Sequence, residues 1–270
     1  MILFAARAFL SALITLFVVL SAPNAFAQTH TEVLVLSTLH QFHGKDNSYT
    51  FEELSEIVES YRPNIIAVEL TPEDLRTRKE QKTKVEYQKS IFPSADKIKA
   101  KMVPMEPAEP KFSELVGLIR ASDSELGEKK PDAADGFSTY VDALYGYLFD
   151  HWRSAAEVNS ARTDALFEVK HAYQNSLYGE KQEKGWEGWN SHFLEKVLET
   201  ARANKGSRIL VTVGAEHSYW LREKLGEQEG IRLIDAETFL SLASKARDTT
   251  TRPGDSNARS VSPGPDLTSN

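Results

Sequence analysis

Two kinds of apolar pattern alternate along the chain: unbroken runs and residues spaced three or four apart. Val33-Leu34-Val35-Leu36, Ile65-Ile66-Ala67-Val68 and Ile209-Leu210-Val211-Thr212-Val213 are unbroken. Such runs predict strands buried on both faces. A weaker run, Lys101-Met102-Val103, is closed by Pro104 and Pro107, and Ile231-Arg232-Leu233-Ile234 follows Gly230. Between the first two runs, Leu54, Ile57, Val58 and Tyr61 form a helical stripe, opened by Thr50 with Glu53 three residues on. That pair is a capping box. Pro72 to about Lys89 is dense in charge and predicts an exposed helix. From about 111 to 205 the strand signal disappears, and glycines at 127, 136, 179, 185 and 188 punctuate helical spacing. No internal repeat stands out at a fixed period. The pattern predicts an α/β fold: a mostly parallel central sheet with flanking helices and a large helical insertion between the third and fourth strands.

The two ends break the pattern. Arg7 precedes an uncharged stretch, Ala8 to Ser21, then Pro23, Asn24 and the small–x–small triplet Ala25-Phe26-Ala27. This predicts a signal peptide over residues 1–27, cleaved after Ala27, and a periplasmic or secreted product beginning at Gln28. The alternative, a single membrane anchor, is disfavoured because the run is short and ends in a Pro–Asn turn. No cysteine follows the cleavage point, so lipoprotein processing is not expected. Residues 244–270 are rich in Ser, Thr, Pro, Gly and Asp and predict a disordered tail. That leaves one domain over 28–243.

Composition narrows the function classes. With 41% hydrophobic and 26% charged residues in 270, the chain is neither a polytopic membrane protein nor wholly disordered. Thirty-two basic against 39 acidic residues give a net charge of −7, which argues against a nucleic-acid partner. The absence of cysteine removes disulfides, cysteine zinc sites, iron–sulfur clusters and thiol nucleophiles. There is no G-x-S-x-G elbow, phosphate-binding loop, dinucleotide fingerprint or H-E-x-x-H helix.

The candidate chemistry stands at the carboxyl ends of the strands. The first strand runs into Ser37-Thr38-Leu39-His40, the second ends at Glu69, and the fourth runs into Gly214-Ala215-Glu216-His217. Ligands of an open parallel sheet bind outside the carboxyl ends of its strands, so His40, Glu69 and His217 share one edge. Each has a plainer reading: a loop histidine with one hydrogen bond, or a glutamate capping the helix at Pro72. The joint placement favours a site, either a metal centre or an acid–base centre. His43 reads as a fourth ligand or an exposed loop residue, and Glu216 as a first-turn acid suited to the helix dipole. Arg162 lies four residues from both Val158 and Leu166, which predicts a core-facing arginine; it pairs within the helices, snorkels to the surface, or reaches the sheet edge to hold an anion. His151 falls on the same stripe and reads as a core histidine. Trp152, Trp186, Trp189 and Trp220 read as core or pocket wall.

Together, Ser37-Thr38-Leu39-His40, the strand Pro63-Asn64-Ile65-Ile66-Ala67-Val68-Glu69-Leu70, Arg162-Thr163-Asp164 and Gly214-Ala215-Glu216-His217 resemble the TraB/GumN–TIKI–erythromycin-esterase–ChaN superfamily over about residues 32–243. Its hallmarks are paired G-x-x-H motifs, a strand-end glutamate and a helical arginine. Ser37 stands where the first motif has glycine. The resemblance implies a hydrolase of a peptide, ester or lactone bond, with His40, Glu69, Arg162 and His217 at its centre and a small-molecule or peptide substrate. It also implies, as options, a manganese- or zinc-class ion on His40, Glu69 and His217. A further option is a non-catalytic protein binding haem or another small ligand.

Overall fold

A computed structural model describes residues 30–45 and 48–251. The expected signal segment lies outside the described residues, as do residues 252–270 of the expected tail.

Five strands form one all-parallel sheet in the order β3-β2-β4-β1-β5. They are β1 (Thr31–Thr38), β2 (Ile65–Val68), β3 (Lys101–Pro104), β4 (Arg208–Gly214) and β5 (Ile231–Ile234). The strands thus fall on the predicted apolar runs. The pleat sends alternate residues to opposite faces. Leu34, Leu36, Ile66, Val68 and Leu210 face one core. Val33, Val35, Ile65, Ala67, Ile209, Val211 and Val213 face the other.

Helix α1 (Phe51–Tyr61) covers the first face with Leu54, Ile57, Val58 and Tyr61. Its Thr50 cap accepts from the Glu53 amide, as the capping pattern predicts. Five helices lie between β3 and β4: α4 (Lys111–Lys129), α5 (Pro131–His151), the short α6 (Ala155–Val158), α7 (Ala161–Tyr178) and α8 (Glu180–Ala203). Helix α9 (Ala215–Gly226) follows β4 directly and packs Leu221 and Leu225 on the second face with Phe193 and Val197 of α8. Helix α10 (Ala236–Thr251) returns to the first face through Leu240. It runs to Thr251, so the tail expected from residue 244 begins as helix.

The topology locates a crevice. The chain leaves β1 over the first face, through α1 to β2. It leaves β4 over the second, through α9 to β5. Adjacent strands whose connections depart to opposite faces leave an opening beyond their carboxyl ends. Here that point lies between β1 and β4.

The charged segment after β2 departs from expectation. Helix α2 (Pro72–Thr77) stops after six residues, with Arg78 in the left-handed region at φ 47°. The chain then turns inward. A π-helical turn, Tyr87–Ile91, leads into α3 (Phe92–Ile98). Its wide pitch lets adjacent side chains both point inward, and Glu86, Tyr87, Ser90 and Ile91 are all buried. Such turns recur at functional sites.

Candidate active site

Beyond the sheet's carboxyl edge, His40 and His217 line one cavity of about 270 Å³. Leu39, Phe42, Tyr145, Phe149, Trp152 and Ala215 supply most of the remaining wall.

His40 opens a 3₁₀ turn, His40–Phe42, with φ 50°, an uncommon backbone conformation for a side chain of this size. His43 braces that turn. Its Nε2 accepts from the Leu39 amide at 2.9 Å, and its Nδ1 donates to the Tyr49 carbonyl at 3.1 Å. Burial lowers its pKa to about 4. His43 is thus a buried structural histidine, neither an exposed loop residue nor a spare ligand. Ser37, in the place of the first motif's glycine, sits fully buried in β1 and bonds Ser218 through its hydroxyl at 2.7 Å.

His40 Nδ1 meets Glu86 Oε1 at 2.7 Å, and Thr38 Oγ1 donates to the same oxygen. Glu86 is completely buried, and its Oε2 has no partner among the described residues. Burial opposes a charge on His40. The Glu86 hydrogen bond and the carboxylates of Glu69 and Glu86 outweigh it, so the pKa is raised above 6.5.

Glu69 ties the ends of β2 and β4 together. Its Oε2 accepts from the Gly214 amide at 2.6 Å, and its amide donates to Tyr87 Oη, which donates to the Thr212 carbonyl. Lys84 Nζ lies 3.0 Å from Glu69 Oε1 and 2.6 Å from Glu106 Oε1. Burial alone would raise the Glu69 pKa, but Lys84, both histidines and the Gly214 amide bring it to about 2. Glu69 is a permanent carboxylate and does not cap α2, whose cap is Thr71.

Gly214 explains its own place in the second motif. Its φ of −53° suits any residue. A Cβ there, however, would stand 2.8 Å from His40 Nε2 and 3.6 Å from Glu69 Oε2. The histidine ring occupies the space that a side chain would fill.

His217 sits in the first turn of α9. Its Nδ1 meets Asn190 Oδ1 at 2.9 Å, and Asn190 donates its amide to the Trp186 carbonyl. The asparagine oxygen therefore accepts, which places the neutral imidazole's proton on Nδ1 and its lone pair on Nε2. The ring stacks on Trp186, centroids 4.7 Å apart. Burial drives its pKa down to about 4, against the pull of Glu69. Glu216, beside it, lies in the helix first turn as predicted but is also held by Lys170 at 2.8 Å and by the Tyr145 hydroxyl.

The structure thus brings His40, Glu69 and His217 to one edge. It does not bring Arg162 there. Arg162 is exposed and lines a second cavity with Tyr147, His151 and Glu237. The spacing from Val158 crosses a break, because α6 ends at Val158 and α7 begins at Ala161. The helical register restarts, and the buried positions of α7 are Thr163, Phe167, Lys170 and His171. Among the described residues the arginine drawn inward is the partly buried Arg222 of α9, bonded to both Asp164 oxygens at 2.7 and 2.8 Å, to the Val35 carbonyl and to Asn159. His151 is exposed and stacks on Tyr147 rather than entering the core.

Lys84, Glu86, Tyr87 and Asn190 escaped the sequence reading. Asn190 had a signal, standing among Trp186, Phe193 and Val197 on the apolar stripe of α8. A buried polar residue on such a stripe needs a partner.

The donor set does not fit a three-ligand divalent centre. Both Glu69 oxygens are engaged, one by the Lys84 ammonium and the other by the Gly214 amide. No family model, curated protein or solved structure matches the chain.

Proposed function

We propose that the chain is a hydrolase in which two histidines move the protons of a metal-free attack of water on a carbonyl. One observation carries this reading. Each histidine holds its Nδ1 against a buried partner, Glu86 or Asn190, and its Nε2 has no hydrogen bond among the described residues, while both rings line one cavity. That is the arrangement of an oriented acid and an oriented base. Their surroundings push the two pKa values apart, which assigns the roles. Neutral His217 takes a proton from water as its oxygen bonds to the carbonyl carbon. Protonated His40 gives its proton to the leaving oxygen or nitrogen as that bond breaks. The products are a carboxylic acid and an alcohol or amine. Glu69, locked by Lys84, keeps a negative charge beside both rings and fixes the Gly214 turn.

The superfamily resemblance supports the same residues His40, Glu69 and His217; the proposed reading departs from it by leaving out the arginine and the ion. The test is hydrolysis of p-nitrophenyl benzoate and ethyl benzoate by purified protein dialysed against a chelator. Turnover should survive chelation. His217→Asn should abolish it for both esters, by about 100-fold or more, in the usual range for a general base. His40→Gln should harm the ethyl ester far more, since p-nitrophenolate leaves without an acid. Loss of turnover on chelation would overturn the metal-free assignment. A Soret absorption band from the purified protein, with no turnover, would replace the reading by haem binding.

A further inference from the structure

We infer that the cavity beside the two histidines receives a compact, uncharged, aromatic or branched alkyl group of the substrate, and that Phe149 sets its size. The inference rests on the hydrolase reading and adds the substrate class. Phe42 and Phe149 meet edge to face at 5.6 Å, and Phe149 meets Trp152 at 5.5 Å and 81°. These rings, with Leu39, wall the cavity that His40 and His217 also line. Polar atoms of the wall are committed elsewhere. The Trp152 indole N–H donates to Thr163 Oγ1 at 2.9 Å, and the Tyr145 hydroxyl donates to Glu216. Glu216 is neutralised by Lys170.

A charged group seated among these rings, away from the two histidines, would shed water without gaining a partner. An apolar ring gains edge and face contacts with three aromatic side chains. Size agrees. A cavity of roughly 150 Å³ suffices for benzene, so about 270 Å³ accommodates a ring and a reacting carbonyl. A long acyl chain would run out of it past the aromatic wall.

The experiment has a binding arm and a turnover arm. Benzamide, acetamide and succinamate, an amide whose acyl group carries the carboxylate, are titrated into the protein by calorimetry. The p-nitrophenyl esters of acetic, benzoic and dodecanoic acid are compared as substrates. Benzamide should bind about tenfold or more tighter than acetamide or succinamate, and the benzoyl ester should exceed the dodecanoyl ester by a similar factor, a difference of a few methylene-sized contacts. Phe149 is half-buried, so Phe149→Leu should fold even if Phe149→Ala does not. Either variant should shift the preference toward the longer chain. Phe149→Trp should weaken benzamide.

Esters cleaved without acyl preference, with benzamide no better than acetamide, would overturn this inference and leave the hydrolase reading standing. Preferential benzamide binding with no ester cleaved would keep the apolar subsite and remove the hydrolase. Neither binding nor turnover would remove both.

Discussion

The smallest unit of the site is the contact between His40 and Gly214. His40 takes a left-handed backbone at φ 50°, and its ring lies where a Gly214 side chain would be. Strained conformations of this kind persist only where neighbours enforce them. Here the neighbours are His43, which holds the Leu39 amide, and Glu86, which holds Nδ1 of the ring. Glu86 also prevents the ring from simply swinging aside. Gly214→Ala places a methyl 2.8 Å from Nε2, inside van der Waals contact, so the ring must move off its seat. A displacement of about 1 Å at a reacting group costs roughly 100-fold. The variant should therefore lose about that factor in kcat/KM while its circular dichroism stays native, because Gly214 has backbone angles that alanine tolerates. Unchanged turnover would show that the seat of His40 does not matter to the chemistry.

At the scale of elements, the sheet was legible and the helical register was not. Strands buried on both faces leave unbroken apolar runs such as Val33–Leu36 and Ile209–Val213, and these are the central strands β1 and β4. The carboxyl ends of β1, β2 and β4 located His40, Glu69 and His217 without knowledge of the tertiary fold. Glu86 and Lys84 were hidden because charge density between Pro72 and Lys89 reads as a solvated face. A π-helical turn following a left-handed cap reversed that segment inward. Arg162 was misplaced by two missing residues of helix between Val158 and Ala161, which reset the face. The two arginines make the point measurable. Arg222→Met takes the guanidinium from the Asp164 carboxylate and removes a donor from Asn159 and the Val35 carbonyl. Breaking a buried pair costs ~3–5 kcal/mol, and slight exposure here brings that to about 2–4. Arg162→Met, on an exposed position, should change stability by less than about 0.5 kcal/mol. Urea unfolding of both variants measures the difference; a larger loss at Arg162 would place the buried arginine wrongly.

Over the whole molecule, burial divides the histidines by sign, and pH reads that division. His43 and His217 have folded pKa values near 4, and His171 is lowered too, so each is buried neutral. Their contribution to stability is intact above the ordinary value of 6.5 and falls away as pH drops below it, toward 4 for His43 and His217, because the unfolded chain then binds protons that the folded one refuses. His40 has the opposite sign. Its raised pKa contributes fully below 6.5 and is lost as pH rises through the folded value. The same division shapes catalysis. Turnover needs neutral His217 and protonated His40, so kcat/KM should rise through pH about 4, hold a plateau, and fall at a pH above 6.5. Reversed roles would need two minority protonation states at once over that whole range. Glu86→Gln supplies the decisive variant. Glutamine can still accept from Nδ1 but removes a buried negative charge from the ring. Burial, which lowers the His40 pKa, is then less opposed, and the alkaline limb should move to lower pH while the acid limb near 4 stays in place. A profile in which Glu86→Gln moves the acid limb, or neither limb, would show that His40 is not the acid that Glu86 holds.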